Sequence, residues 1–252
     1  MADRETFALS DIYAILARYP KQRPPLPPAY QAIYEREYRM NREGSSFITS
    51  ISSGLESWMH KRVADAPAGD LLEIGAGTLN QLQYEAPQSR YDVVEPFAAL
   101  YADSPALPTI TKVYADIGEI AVDQRYDRIT SVAVLEHLND LPGIVARSAL
   151  LMKDGGVFQA GIPSEGGFMW TLAWRTTTGV AYWLRNGLDY GVLMHHEHLN
   201  TAAEIEAVVG QFFGEVKVSR YPLPIRQLSF YSYLEARQPL RDRAARYLGV
   251  GA

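Results

Sequence analysis

The sequence predicts an α/β fold: a doubly wound sheet of mostly parallel strands with an antiparallel hairpin at its C-terminal end. Between residues 70 and 213, short apolar runs alternate with amphipathic stretches, as they do where helices connect parallel strands. Two further apolar runs follow, separated by a short segment that contains Pro222 and Pro224. A connection this short joins antiparallel strands, and the usual right-handed crossovers then give the doubly wound arrangement.

Residues 1–64 predict a helical arm that precedes the sheet. A short amphipathic helix is expected at residues 10–19 with Ser10 as its N-cap, and a proline cluster at residues 20–28 then favours extended chain. A longer helix is predicted at residues 46–63 because apolar residues recur there at helical spacing. We expect this arm to lie on the surface of a domain formed by residues 65–252, or to close over it as a lid.

The next hundred residues predict five strands and two helices. The two helices are expected at residues 79–86, stopped by Pro87, and from Asn139 or Asp140 to Met152, ended by the glycine pair at 155–156. The strands are expected at residues 70–75, 91–95, 110–114, 128–134 and 157–162.

The C-terminal part predicts one helix, the hairpin and a last helix. Thr201 and Glu204 have the spacing of a capping box, so a helix should run to about Phe213. The hairpin strands are expected at residues 215–221 and 227–236. Four arginines are assigned to the polar side of the last helix: Arg237, Arg241, Arg243 and Arg246.

Composition excludes several classes of protein. The chain has 252 residues and no cysteine, which excludes a disulfide scaffold, an iron–sulfur cluster and a cysteine nucleophile. Its net charge of −5 disfavours nucleic-acid partners, which need a basic surface. Neither a secretory signal nor an apolar run long enough to span a membrane is visible. We expect a soluble cytoplasmic protein, as a monomer or a homodimer.

A glycine-rich turn at residues 73–80, Glu-Ile-Gly-Ala-Gly-Thr-Leu-Asn, follows the first predicted strand. Its glycines permit a tight turn and the close approach of a ligand to the backbone. A dinucleotide site usually has a third glycine at the position of Asn80, and Glu73 supplies a carboxylate instead. A ligand with a cationic group therefore fits better than a pyrophosphate, although a plain strand-to-helix turn has the same pattern.

Two acidic residues follow the next two predicted strands. Glu95 lies 20 residues after Gly75, where a carboxylate can accept hydrogen bonds from ribose hydroxyls. Asp116 is placed to meet an adenine amino group. A solvated carboxylate and a capping aspartate are the simpler alternatives. Since ligands of doubly wound sheets bind at the carboxyl ends of the strands, both should border one crevice with the glycine turn and residues 133–137.

Together, these motifs resemble class I S-adenosylmethionine-dependent methyltransferases. The resemblance is carried by Leu-Glu-Ile-Gly-Ala-Gly at 72–77, Val-Glu-Pro at 94–96, Tyr-Ala-Asp at 114–116 and Val-Ala-Val-Leu-Glu-His-Leu at 132–138. It implies a Rossmann-like sheet of seven strands with S-adenosylmethionine as cofactor. By position, the resemblance implies that Gly75, Ala76 and Gly77 contact the methionine part of the cofactor and that Glu73 lies near its ammonium. Glu95 with Pro96 would bind the ribose, and Asp116 with Ile117 the adenine. Val132 and Ala133 would line the donor beside the sulfonium.

Histidines supply the candidate general bases for a hydroxyl acceptor, which must lose its proton. His137 follows the fourth strand, and His196 and His198 belong to a cluster just before the helix at Thr201. A structural, solvated or capping role is the alternative for each. For the cluster at 195–198, adjacent histidines rarely point the same way on a helix and no third acidic partner is evident, so no metal site is predicted.

The acceptor site is expected in an insertion at about residues 164–198, which contains three of the four tryptophans. Aromatic faces suit sugar rings and other small molecules, although these residues could equally pack against the sheet. We expect methyl transfer to oxygen or nitrogen of a small molecule, with a sugar or glycan intermediate as the narrower expectation. An NAD(P)-dependent oxidoreductase and a catalytically silent cofactor-binding module are the alternatives.

Overall fold

The computed structural model describes residues 9–34 and 49–250. A seven-stranded sheet runs through it in the order β3-β2-β1-β4-β5-β7-β6, and β7 alone runs in the direction opposite to the other six strands. The predicted mostly parallel sheet with a C-terminal antiparallel hairpin is confirmed. The strands are β1 Asp70–Ile74, β2 Arg90–Val94, β3 Lys112–Tyr114, β4 Tyr126–Val132, β5 Met152–Pro163, β6 Phe213–Pro222 and β7 Ser229–Pro239.

Helices cover both faces of the sheet. Those described are α1 Leu9–Leu16, α2 at residues 28–34, α3 Thr49–Ala64, α4 Leu141–Leu151, α5 Phe168–Trp174, α6 Val180–Asn186, α7 Tyr190–Glu197, α8 Ala202–Phe212 and α9 Arg241–Leu248. Asp140 caps α4 through the Gly143 N–H, and Thr201 with Glu204 forms the predicted capping box of α8.

The main core lies on the face covered by α4, α8 and α9, and a smaller core lies on the opposite face. α3 covers that opposite face: Met59 and Val63 are fully buried, and Met59 packs where Gly161 of β5 has no side chain. The division of the chain at residue 64 stays a prediction, although α3 is one of the layers that cover the sheet.

The predicted helix at residues 79–86 was wrong. This segment forms only a short 3-10 turn, Asn80–Gln83, because Leu79 has a left-handed backbone (φ 66°) and Pro87 follows soon after. Short 3-10 turns also connect β2 to β3, a link that contains Pro96, Pro105 and Pro108. The crossovers on this side of the sheet are therefore compact, and the strand ends lie close together.

Three smaller expectations are corrected. Ser10 lies inside α1 and is not its N-cap. The glycine pair at 155–156 lies within β5, because α4 already ends at Leu151. Arg237 belongs to β7, not to the last helix. The first three residues of the helix predicted at 46–63 lie outside the described residues. Within the described ranges, every helix is too short or too polar to cross a lipid bilayer.

Candidate active site

The glycine turn joins β1 to the 3-10 turn at the carboxyl edge of the sheet. Gly75 has φ 72°, and a Cβ atom there would lie 2.5 Å from a methyl carbon of Val134. Gly77 also has a positive φ, 51°, but a Cβ atom there would meet nothing within 4 Å. Gly75 is therefore required by packing, whereas Gly77 leaves bare backbone beside open space.

Glu95 connects this turn to the end of β2. Its carboxylate oxygens accept one hydrogen bond from the Gly77 N–H, at 2.8 Å, and one from the Phe97 N–H, at 2.9 Å. Each carboxylate oxygen can accept a second hydrogen bond, so Glu95 retains capacity for a ligand. The structure thus brings together Gly75, Ala76, Gly77 and Glu95, as the sequence predicted.

Phe97 was missed by the sequence analysis. Pro96 and Phe97 are both exposed, and the Phe97 side chain is 55% exposed beside Glu95. Exposed aromatic rings at a strand end offer a flat apolar surface. The sequence signal for Phe97 was an aromatic residue two positions after Glu95. Nothing in the local sequence pattern distinguishes such a residue from one in the core.

Glu73 lies beneath the turn, not at its surface. Its carboxyl is 4% exposed and accepts a hydrogen bond from the Tyr91 hydroxyl at 2.7 Å. Burial raises its pKa to about 7, against the opposing effect of the Tyr91 hydrogen bond, and the negative charges of Glu85 and Glu95 add to the rise. A cation near this turn would favour the ionised carboxylate.

Asp116 and Ile117 follow β3. The Asp116 carboxylate accepts a hydrogen bond from the Gly118 N–H at 2.6 Å, so it caps the short turn that follows. Ile117 is only 4% exposed and belongs to the main core. The capping alternative for Asp116 is therefore present in the structure, and little of Ile117 is left for contact with an adenine.

Val132 is the last residue of β4, and Ala133 follows it next to the glycine turn. Ala133 is exposed and has φ 53°, a conformation that a non-glycine residue adopts at some cost, and its N–H bonds to the Gly161 carbonyl of β5. Strained backbone of this kind concentrates at functional sites. It turns the chain sharply, so that residues 134–138 line the same edge.

The structure brings His137 and His198 into contact, although 60 residues separate them. Their ring centroids are 4.9 Å apart in an edge-to-face arrangement. His137 Nδ1 lies 2.9 Å from the Glu197 carbonyl oxygen, and His198 Nδ1 lies 2.8 Å from the Glu165 carboxylate. Asn200 stabilises the turn beneath them by donating to the carbonyls of Leu135 and Leu138.

His196, the third candidate base, contacts the N-terminal arm. Its Nδ1 lies 2.7 Å from the Pro24 carbonyl oxygen, and its ring packs edge-to-face against Tyr34. Arg23 of the same arm donates to the carbonyls of His137 and His196. The arm thus lies directly over the histidine cluster.

The expectation that no acidic side chain accompanies the histidines is corrected. Glu136, His137 and His198 each offer a ligand atom, and these three atoms lie within 4.8 Å of one another. Glu165 adds a second carboxylate, which also accepts a hydrogen bond from Trp170 Nε1 at 2.6 Å. The signal for Glu136 was its place beside His137 in the motif at 132–138, but Glu165 approaches only through the fold.

Opposing effects set the pKa values of the pair formed by His198 and Glu165. Burial lowers the pKa of His198, but the hydrogen bond to Glu165 and the charge of Glu136 outweigh it, so that the pKa lies above its ordinary value. Burial likewise raises the pKa of Glu165, and the hydrogen bond and charge of His198 bring it below its usual range. The two groups therefore stabilise each other in the charged form.

The insertion forms three helices, α5 to α7, at this edge. Tyr182 and Leu193 are buried against Tyr30 of the arm, while Phe168 and Trp183 are about 60% exposed. Trp170 faces His198 with stacked rings 6.4 Å apart. Part of the insertion thus packs against the rest of the protein, as the alternative to an acceptor site expected. Trp170 borders the histidine cluster.

Two clefts of similar size lie near these groups. One, of about 590 Å³, is lined by His195, His198, Leu199 and five residues of the arm: Arg18, Pro20, Lys21, Gln22 and Pro24. The other, of about 670 Å³, lies behind the glycine turn and is lined by Thr78, Asn80, Tyr91 and Thr111. The second is not lined by Gly77 or Glu95, so we place the candidate site at the strand ends on the positions of its polar groups, and not on cleft size.

No protein-family model and no curated protein matches this sequence. Solved structures do match its fold. The N-methyltransferase NodS from Bradyrhizobium japonicum, solved with S-adenosyl-L-homocysteine, is 14% identical with a TM-score of 0.52, covering 90% of this chain and 98% of that one. An O-methyltransferase family protein from Burkholderia thailandensis is 14% identical with a TM-score of 0.52, covering 91% and 69%.

A third solved structure is phosphoethanolamine N-methyltransferase 2 from Haemonchus contortus, in complex with S-adenosyl-L-methionine. It is 12% identical with a TM-score of 0.51, and the match covers 74% of this chain and 52% of that one. The chain thus has the fold of S-adenosylmethionine-dependent methyltransferases, which confirms the Rossmann-like architecture that the motifs implied.

Proposed function

We propose that this protein is an S-adenosylmethionine-dependent methyltransferase that acts on oxygen or nitrogen of a small molecule. The observation that carries the proposal is the hydrogen bond from the Gly77 N–H to the Glu95 carboxylate. At Gly77 the backbone borders open space, and the carboxylate oxygens can each accept one more hydrogen bond. The solved structures of similar fold support it, because two of them contain the methyl donor or its demethylated product.

The residues at the strand ends fit the parts of such a donor. Glu95 is placed to accept hydrogen bonds from the ribose hydroxyls, and Phe97 and Pro96 offer an apolar surface to the adenine. Gly75–Gly77 would lie along the methionine part, with Glu73 as the counter-charge beneath its ammonium. Val132 and Ala133 would border the sulfonium. Asp116 would accept from an adenine amino group beside its capping bond to the Gly118 N–H.

Transfer itself requires few protein groups. The donor supplies a methyl carbon on a positively charged sulfur, which is already activated toward in-line attack, so the protein contributes mainly proximity and alignment. A neutral hydroxyl acceptor must also lose a proton. The cluster of His137 and His198 lies at the same edge as Ala133 and is the candidate group to assist that loss, whereas His196 faces the arm.

Calorimetric titration with S-adenosylhomocysteine and, separately, with NADH tests the proposal. We expect micromolar binding of the first and none of the second. The Glu95→Ala variant should bind S-adenosylhomocysteine about 1–3 kcal/mol more weakly, the usual effect of leaving hydrogen-bonding groups unpaired. Binding of NADH alone would show the oxidoreductase alternative to be correct.

The acceptor is proposed more narrowly as a sugar or glycan intermediate, on the basis of the aromatic insertion and the exposed face of Trp183. An acceptor screen with donor labelled in its methyl group tests this and separates an enzyme from a silent binding module. Label transferred to sugars supports the proposal. Donor binding without transfer to any acceptor would support the silent module.

A further inference from the structure

We infer that Glu136, His137 and His198 bind one divalent transition-metal cation. The inference concerns binding and is independent of methyl transfer. Only its chemical consequence, a hydroxyl acceptor, rests on the proposed function.

The three side chains already have the geometry of a ligand set. His137 Nε2 lies 3.7 Å from a Glu136 carboxylate oxygen, and the three ligand atoms lie within 4.8 Å of one another. Ligands bound to one cation at about 2.0–2.2 Å are about 3–4 Å apart. Small side-chain rotations would therefore bring all three into contact with an ion.

Both imidazoles are oriented as metal ligands usually are. His137 Nδ1 lies against the Glu197 carbonyl oxygen and His198 Nδ1 against the Glu165 carboxylate, so each Nδ1 carries the proton that is donated there. A cation would bind at Nε2, where it would take the place of any second proton on the ring. Trp170 in turn donates to Glu165, which completes an outer layer of hydrogen bonds around the cluster.

Glu136 supplies the independent observation. Its side chain is only 2% exposed, and its Oε2 atom has no hydrogen-bond partner among the residues described at 9–34 and 49–250. Burying a carboxylate oxygen without a partner is costly. Since Oε1 of the same carboxylate is the oxygen that lies 3.7 Å from His137 Nε2, a cation bound by both oxygens would remove that cost. The backbone carbonyl of Glu136 accepts hydrogen bonds from the N–H groups of Leu199 and Asn200, so the backbone that carries this side chain is held in place.

The donor set selects the kind of cation. One carboxylate and two imidazoles suit Zn²⁺, Mn²⁺ or Fe²⁺, whereas Ca²⁺ and Mg²⁺ prefer oxygen ligands alone. Three protein ligands leave at least one position open, as catalytic metal sites do. His198 lines the cleft of about 590 Å³, which gives an entry path.

The consequence for the reaction is a hydroxyl acceptor. Glu136 follows Ala133 by three residues in the chain. A cation bound there would lower the pKa of an acceptor hydroxyl, and the hydroxyl proton would pass to water in the cleft. The acceptor oxygen would then form its bond to the methyl carbon as the bond from that carbon to sulfur breaks. An amine acceptor needs no such help once it is unprotonated.

The test is a metal titration of tag-free protein that has been stripped with a chelator, in the absence of methyl donor. Mn²⁺ and Zn²⁺ are followed by calorimetry and Co²⁺ by its visible absorption. We expect one equivalent to bind. Glu136→Gln and His198→Gln should weaken binding at least tenfold, and Glu165→Gln, which alters only positioning, by about 10–100-fold. The matched control is His195→Gln, an exposed histidine of α7 outside the cluster.

Two outcomes overturn the inference: no stoichiometric binding to the wild type, or equal binding to the wild type and to the Glu136→Gln, His198→Gln and Glu165→Gln variants, which would place the metal outside this cluster. Circular dichroism and melting of each variant without metal show that it folds. S-adenosylhomocysteine titrations of the same samples separate the two proposals. If metal binding fails while this ligand still binds, only the metal site is lost. If the metal binds while S-adenosylhomocysteine does not, only the proposed function is lost.

Discussion

At the scale of single residues, the buried carboxyl of Glu73 makes stability depend on pH. Its pKa is raised to about 7 in the folded protein, against about 4.3 in an unfolded chain. Between these values the folded state holds a proton that the unfolded state has released. The free energy of unfolding therefore falls as pH rises through this range. Above pH 7 the folded protein bears the full destabilisation from an ionised, buried Glu73 carboxylate.

We predict that Glu73→Gln removes this dependence. The variant should gain between about 2 and 3 kcal/mol relative to wild type when urea unfolding is compared at pH 8 and at pH 5, because one pKa unit corresponds to about 1.4 kcal/mol. Parallel pH profiles for the two proteins would show that Glu73 is ionised in the folded state throughout.

The two glycines of the turn predict opposite phenotypes. Gly75→Ala should destabilise the fold by at least about 2 kcal/mol, because its Cβ would overlap Val134 and its φ is positive. Gly77→Ala meets no atom and should cost only about 1–2 kcal/mol of backbone strain, yet it should lose binding of S-adenosylhomocysteine. Thermal melting and calorimetry on both variants check this, and normal binding by Gly77→Ala would place the ligand elsewhere.

At the scale of elements, a buried ion pair connects α3, β4 and the link between β1 and β2. Arg128 donates to both oxygens of Glu85 at 2.8 and 3.2 Å, to the Val63 carbonyl of α3 and to Gln159 of β5. The side chains of Arg128 and Glu85 are 3% and 1% exposed. The short, non-helical link is therefore anchored to the sheet by charge.

We predict that Arg128→Met lowers the free energy of unfolding by about 3–5 kcal/mol, because it leaves the Glu85 carboxylate buried and unpaired. The double variant Arg128→Met with Glu85→Gln should recover much of that loss. Urea denaturation measures both. If the double variant were as unstable as the single one, the loss would come from packing or from the Val63 and Gln159 contacts and not from charge.

The same link shows where local pattern stops predicting elements. The strands and the capped helices α4 and α8 follow directly from apolar runs, Asp140 and the capping box. The segment at 79–86 has a helical composition, but its conformation depends on the left-handed backbone of Leu79 and on the hydrogen bonds of Gln81 to His60, which lies 21 residues earlier in the chain. Tertiary contacts override propensity here.

At the scale of the whole molecule, residues 21–24 of the N-terminal arm lie over the histidine cluster. Arg23 donates hydrogen bonds to the backbone carbonyl of His137, which follows β4, and to the backbone carbonyls of His196 and Glu197 in α7. Lys21 adds hydrogen bonds to the Leu199 carbonyl and to Glu204. The arm thus joins two parts of the candidate site that the chain itself does not connect directly.

We predict that Arg23→Ala loosens this edge without unfolding the sheet. Amide hydrogen exchange should quicken by about 10–100-fold at residues 195–199, since local opening there loses three hydrogen bonds, while β1 and β4 keep their protection. A uniform rise in exchange over the sheet would instead mean that the arm supports the global fold. Unchanged exchange would mean that Arg23 holds nothing in place.

The candidate site shows the same limit as the fold. Gly75, Gly77, Glu95 and Ala133 could be placed together because parallel strands end at one edge, a rule that needs only the order of elements. The contact of His137 with His198 and Glu165 could not be predicted, because it depends on how the insertion at about 164–198 folds back, and the sequence of the insertion has no regular pattern. Proximity across 60 residues is a property of the packed chain.

A crystal structure of the protein with S-adenosylhomocysteine tests the central claim most directly. We predict that the ribose hydroxyls lie within hydrogen-bond distance of the Glu95 carboxylate and that the amino-acid part runs along Gly75–Gly77, with its sulfur near Ala133. A ligand bound in the cleft behind the turn, or no ligand at the strand ends despite binding in solution, would contradict it.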